Sequence, residues 1–227
     1  MRFTWRTEWP HWLILAGMFA LATTSWGGAP DRIPAHWGLD GQVDRYSGKL
    51  EGILLLPILA AGIYLVFLLL PRLDPGRANY PSFAGAYAVV RLSVLVVLGV
   101  IYGLIHAAMR GHDVSVGGWM SLTTGALLVV VGNQFGKIRP NWFVGFRTPW
   151  TLSSKVAWTR THRAAGWMLV AAGMLLLAHA VLRVAWLLHV MLGVVLLGLV
   201  ALTVYSYVLW RNDPEKTPPA GTLPAGN

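Results

Sequence analysis

The residues richest in chemistry lie together between Asn133 and Arg163, in the run NQFGKIRPNWFVGFRTPWTLSSKVAWTRTHR. The run carries six cations, Lys137, Arg139, Arg147, Lys155, Arg160 and Arg163, with no Asp or Glu. Trp142, Trp150 and Trp158 are set among them. Arg147 offers a rigid fork of donors suited to carboxylate or phosphate, and the amides of Asn133 and Asn141 both donate and accept. Pro140 and Pro149 forbid one continuous helix, and Thr148, placed before Pro149, is pushed to extended backbone. Ser153 or Ser154 can cap a short helix over 155–163, which sets Trp158 and His162 four apart on one face. Two uses fit. Either that face and Arg147 form a pocket closed against the rest of the chain, or the segment lies on anionic lipid.

A second candidate is Arg91, inside the apolar run 83–107. Such a side chain either reaches back along its stem to the nearer interface or faces the interior and holds an anionic group. No acid lies near it in sequence, so reaching back is the expected arrangement. A third candidate is the loop APDRIPAHWGLDGQVDRYSGKLEG, with His36, Trp37, Asp40 and Asp44. Gly38, Gly41 and Gly48 mark it as a folded turn region rather than a linker. His36, Asp40 and Asp44 are of ligand type, but their spacing matches no calcium or zinc pattern. The expectation is solvated carboxylates, no metal and no cofactor. His106, His112, His179 and His189 fall near the ends of apolar runs and read as interfacial anchors.

Absences narrow the function. Without cysteine there is no disulfide, thiolate site or Cys nucleophile. No apolar run has an acid in its interior, so the relay carboxylates of a proton-coupled carrier are missing. There is no nucleophile elbow, HExxH or phosphate-cradling glycine loop, and catalysis is not expected. The net charge of +9 sits in loops, where it orients the chain and meets lipid, so direct nucleic-acid binding is not expected.

The elements that must position these residues are membrane helices. The chain is 56% hydrophobic and 12% charged, with mean hydropathy +0.56. Six apolar runs appear at 11–26, 52–70, 83–107, 118–135, 164–182 and 185–210, each near the ~20 residues that cross a bilayer. The last two are separated only around Arg183, where a tight turn must divide them. An all-α, six-span protein follows. Arg2, Arg6, Arg72, Arg77, the six connector cations, Arg211 and Lys216 put twelve positive charges on the side of the N-terminus. Arg32, Arg45, Lys49, Arg110 and Arg183 put five on the other. Both termini are therefore expected in the cytoplasm. The organisation reads as two spans with a structured outer loop (1–82), a four-span module with its connector 133–163 (83–210), and a disordered tail (211–227). Gly99-x-x-x-Gly103 and Gly132-x-x-x-Gly136 read as helix-packing contacts.

Two passages carry a family resemblance. The connector runs Gly132-Asn133, Lys137, Pro140-Asn141, then Gly145-Phe146-Arg147-Thr148-Pro149-Trp150-Thr151-Leu152, Trp158 and Thr161-His162-Arg163. That pattern resembles the SdpI family of bacterial membrane immunity proteins. In the loop, Ile33-Pro34-Ala35-His36-Trp37 with Gly38, Gly41 and Asp44 resembles the small domain of unknown function that often precedes that module. Gly38 stands where an Asn commonly follows the His-Trp pair. The resemblance implies a plasma-membrane protein that protects against a membrane-active toxic peptide and binds a small cytoplasmic repressor protein. The candidate binding residues are then Asn133, Asn141, Arg147, Trp150, Trp158, His162, Arg91, His36, Trp37 and Asp44. The residues also allow a membrane enzyme or small-solute carrier using Arg91, Arg147 and His162 around an anionic or lipid-like ligand.

Overall fold

The computed structural model describes residues 3–38 and 42–217. Along them run α1 (Trp5–Ser25), β1 (Ile33–Trp37), β2 (Val43–Ser47), α2 (Leu55–Leu73), α3 (Ala84–Met109) and α4 (Val116–Phe135). Then come the single turn α5 (Pro149–Leu152), α6 (Lys155–Leu182) and α7 (Trp186–Arg211). A wide helical turn over Leu50–Leu54 leads into α2, and a tight one over Arg77–Phe83 leads into α3.

Among the described residues five stretches are long and apolar enough to cross a membrane: Leu50–Leu73, Arg77–Met109, Val116–Phe135, Lys155–Leu182 and Trp186–Arg211. Their outward faces agree, since Val181 is 78% and Leu197 74% exposed. Bare aliphatic surface on that scale is stable against hydrocarbon and not against water. The expected sixth span, α1, is not among the five, and its first turns carry Arg6 and Glu8. It nevertheless packs along α2 and α3, where Met18 and Ala22 share a core with Ala60, Leu95 and Tyr102.

The helix pair α4–α6 is the tightest in the bundle, and glycine is the reason. A Cβ on Gly132 would stand 2.8 Å from the Gly166 carbonyl oxygen, and one on Gly125 would stand 2.9 Å from that of Gly173. Each helix contributes two glycines seven apart, two turns on one stripe, so the backbones touch directly. The expected Gly99–Gly103 contact is looser, because nothing lies within 4 Å of a Cβ on Gly103. Arg183 adopts φ 54° and turns the chain between α6 and α7, as the length of the apolar run required.

The loop after α1 folds as an antiparallel hairpin, with Ile33 opposite Ser47 and Trp37 opposite Val43. Ile33 is fully buried beside Ile53, Tyr102 and Ile105. It rests on Gly52, where a Cβ would come within 2.8 Å of the Ile33 side chain. The spans are all-α as expected, and the hairpin adds a small sheet on top of them. Asp40 and Gly41 lie outside the described residues, as does the tail from 218 onward.

Candidate functional site

The connector between α4 and α6 is a cap closed by hydrogen bonds. Asn141 is buried and uses its whole amide locally: Nδ2 donates to the Arg139 and Val144 carbonyls at 2.9 and 2.8 Å. Its Oδ1 accepts from the Phe143 and Val144 amides at 2.9 and 2.6 Å. Trp158 is fully buried and donates from Nε1 to the Ile138 carbonyl at 2.8 Å. His162, also fully buried, is stacked between Trp158 and Phe135, with ring centroids 4.1 and 5.2 Å away. Its Nε2 accepts from the Phe146 amide at 3.0 Å, which makes Nδ1 the donor to the Trp158 carbonyl at 2.8 Å. Gly145, at φ 121°, lies so close over this ring that any side chain would strike Nε2.

Trp158 and His162 therefore share a face as the spacing predicted, but that face is the inside of the cap. It is filled by protein and offers no pocket. The expected short helix 155–163 is also different. It is the first part of the 28-residue α6, which at ~42 Å exceeds a ~30 Å hydrocarbon core by about two turns. The projecting turns are polar, which hid their continuity with the span. Ser154 caps them as expected, accepting from the Ala157 amide at 2.9 Å.

Of the other connector candidates, Arg147 is exposed and donates to the Trp142 carbonyl. Trp150 packs edge-on against Tyr207 of α7, with centroids 5.3 Å apart. Asn133 sits apart on the last turn of α4, exposed. The first residues of the tail are held here too. Ser154 donates to the Asp213 carboxylate at 2.5 Å, and this bond, with the Glu215 amide, holds the Asp213 carboxyl below its usual range. Thr217 donates its amide and hydroxyl to the Ser153 carbonyl.

Sequence reasoning missed the acid that ties this cap to the bundle. Asp74, 1% exposed at the end of α2, accepts from the Gly76 amide at 2.6 Å and the Tyr80 hydroxyl at 2.9 Å. It also accepts from the Trp142 amide at 3.1 Å. Asn79 adds a bond to the Pro140 carbonyl at 2.7 Å. The one sequence signal was Asp74-Pro75-Gly76, an Asx-turn signature in a loop that has no other acid.

Arg91 departs from the expected outward reach. It is 1% exposed and pairs through Nη2 with the Glu8 carboxylate of α1. Tyr64 of α2 donates to the same carboxylate at 3.0 Å, and Trp12 donates to the Tyr64 hydroxyl at 2.8 Å. Phe3, Tyr64 and Tyr87 place ring faces 4.7 to 5.7 Å from the guanidinium. A helix beginning at His11 would leave Glu8 in a solvated tail. In the structure α1 begins at Trp5, and a Thr4–Thr7 capping box carries Glu8 into the bundle. Interior acid is thus present, and it is spent on Arg91. The ~410 Å³ cavity beside Arg147 is lined by neither Arg91 nor His162, so the three residues of the carrier alternative do not share it.

At the opposite end of α1, the hairpin brings His36 and Asp44 together. Nδ1 lies 2.6 Å from the carboxylate, and the two side chains are 64% and 52% exposed. Trp37 faces the core instead, packed beneath the hairpin. Arg45 pairs with Glu51 at 2.7 Å, and Arg32 lies over the exposed Tyr46 ring at 4.8 Å. Among the described residues no group of three metal-type ligands forms.

Comparison with known proteins gives matches in two parts of the chain. Residues 137–206 match the SdpI/YfhL protein family, and residues 13–61 match a domain of unknown function, DUF1648. Immunity protein SdpI of Bacillus subtilis (strain 168) is 26% identical over 183 residues, covering 81% of this chain and 86% of that protein. No solved structure matches. The two matched segments hold the hairpin and most of the cap, so the chain is similar to SdpI-type proteins in both, and with its apolar helices the similarity supports a multi-pass protein of the bacterial membrane.

Proposed function

We propose that this protein confers immunity on the cell that carries it, protecting the membrane against a secreted membrane-active peptide. The observation that carries the proposal is the similarity to Immunity protein SdpI along most of both chains, beside family matches over the hairpin and most of the cap. In this reading α1 is the sixth span. Its 21 residues rise ~30 Å, the thickness of the hydrocarbon core. The excess of cations at the cap end supports a cytoplasmic cap, with both termini on its side and the hairpin outside.

The division of labour follows from what each end leaves free. Outside, His36, Asp44, Arg45 and Tyr46 are exposed on a hairpin whose fold is fixed from below by Ile33 and Trp37. That is a rigid polar and aromatic surface fit to meet a peptide. Inside, Arg147 and Trp142 stand exposed on a cap whose interior is held by the bonds of Asn141, Trp158 and His162, and they would meet a cytoplasmic regulator. The role is binding, without a reaction.

The test is survival of toxin-sensitive cells that express the protein, challenged with a panel of membrane-active peptides. Survival above that of cells lacking it, for at least one peptide, is expected. No protection against any of them, with the protein present in the membrane, would refute the proposal. For the regulator, cross-linking from position 142 should capture a cytoplasmic protein in the wild type and less of it in Arg147→Ala. Capture of the same protein equally by both removes Arg147 from the contact.

A further inference from the structure

Three cavities at the cap end share walls and form one groove. The largest, about 720 Å³, lies between Arg139, the α5–α6 junction and the chain after α7. Lys155, Val156 and Thr159 also wall a second, of about 390 Å³, completed by Arg160 and Arg163. Arg163 in turn borders a third, about 260 Å³, which enters the α4–α6 seam beside Gly132, Gly136, Gly166, Trp167 and Val170.

The groove is graded from charge to hydrocarbon. In its upper part Arg139, Lys155, Arg160 and Arg163 make no side-chain hydrogen bond or ion pair among the described residues. None of the described acids forms an ion pair with them. Glu8 holds Arg91, Asp74 holds the cap, and Asp213 accepts from Ser154 and the Glu215 amide. On the wall of the largest cavity Asp213 and Glu215 stand with Arg139 and Lys155, while the second cavity sets Lys155, Arg160 and Arg163 together with no acid in its lining. In its lower part the glycines that let α4 and α6 touch also leave a crease without side chains. Trp167, 73% exposed, stands at its edge. From Arg163 to Val170 the helix descends ~10 Å, from the depth of phosphates to that of acyl chains.

We propose that this groove is a binding site for an acidic glycerophospholipid. Arg160, Arg163 and Lys155 hold its phosphate, Arg139 holds further negative charge on the headgroup, and one acyl chain lies in the glycine crease beside Trp167. Arg forks suit phosphate oxygens, and each cation near the surface adds attraction for anionic lipid. The proposal stands apart from immunity, because it rests on residues that no toxin or regulator is asked to touch.

The experiment is native mass spectrometry of the purified full chain, titrated with dioctanoyl phosphatidylglycerol, dioctanoyl phosphatidylcholine and glycerol phosphate. Wild type should retain the acidic lipid in preference to the zwitterionic one by about tenfold or more. Arg160→Gln/Arg163→Gln should lose that preference, and Arg139→Gln/Lys155→Gln should weaken it. All four side chains are exposed, so the variants should fold. Arg72→Gln/Arg77→Gln, at the same end but off the groove, should keep it. Equal retention of both lipids, or equal loss in the Arg72/Arg77 variant, reduces the effect to net charge and overturns the site. Displacement of the lipid by glycerol phosphate at a similar concentration overturns the acyl-chain half and leaves a phosphate site alone.

Discussion

Glu8 of α1 and Arg91 of α3 are 83 residues apart in the chain, and each is buried against the other. Removing one partner of such a pair strands the other charge in a low-dielectric interior, at a cost of about 3–5 kcal/mol. Glu8→Gln and Arg91→Leu should each lower the midpoint of thermal unfolding in detergent, and Glu8→Leu/Arg91→Leu should lower it less than either. Singles that unfold like wild type would show that the pair does not hold α1. Asp74→Ala should strip three donors of one acceptor, at about 1–3 kcal/mol for each group left unsatisfied. Its mark would be faster proteolysis within 136–148, and an unchanged cleavage rate would contradict Asp74 as the cap's anchor. At this scale the sequence showed which side chains matter more readily than what they touch. The Ser154 cap and the shared face of Trp158 and His162 follow from spacing. That this face would be filled by Phe135 and the Phe146 amide does not, because those contacts depend on how the cap folds back. Glu8 and Arg91 were each visible as charges beside apolar sequence, but their pairing is a contact between α1 and α3 that no local pattern records.

The helices themselves were more legible, because span length and hydrophobicity are local quantities. The break at Arg183 followed from length alone, and the structure places a left-handed residue there. The start of α6 was misread, because its first two turns stand above the hydrocarbon and carry the polar residues of the connector. The small-residue pattern gave Gly132 correctly, while Gly125, Gly166 and Gly173 emerge only once α4 and α6 are set antiparallel. Gly166→Leu should push α4 from α6, since a Cβ there already meets the Gly132 carbonyl and Phe135. Overpacking of this kind costs about 1–3 kcal/mol, seen as a lower unfolding midpoint. Gly62→Leu on α2, where nothing lies within 4 Å of a Cβ, should leave it unchanged. Equal effects would contradict the seam.

Over the whole molecule, the proposal puts two differently built ends on opposite sides of the membrane. The absence of cysteine makes this simple to check. Tyr46→Cys on the hairpin should react with a membrane-impermeant maleimide on intact cells, and Trp142→Cys on the cap only after permeabilisation. The reverse would invert the orientation, and labelling of both from outside would contradict the three crossings, α2, α3 and α4, that separate them. The most direct measurement is survival under a peptide against which the wild type protects, comparing it with His36→Ala/Asp44→Ala at matched membrane levels. This exposed pair is worth at most about 1 kcal/mol of stability, so its loss should leave the fold intact. The account predicts that the hairpin variant reaches the membrane, unfolds like wild type and no longer protects. Full protection by that variant would contradict toxin recognition at the hairpin.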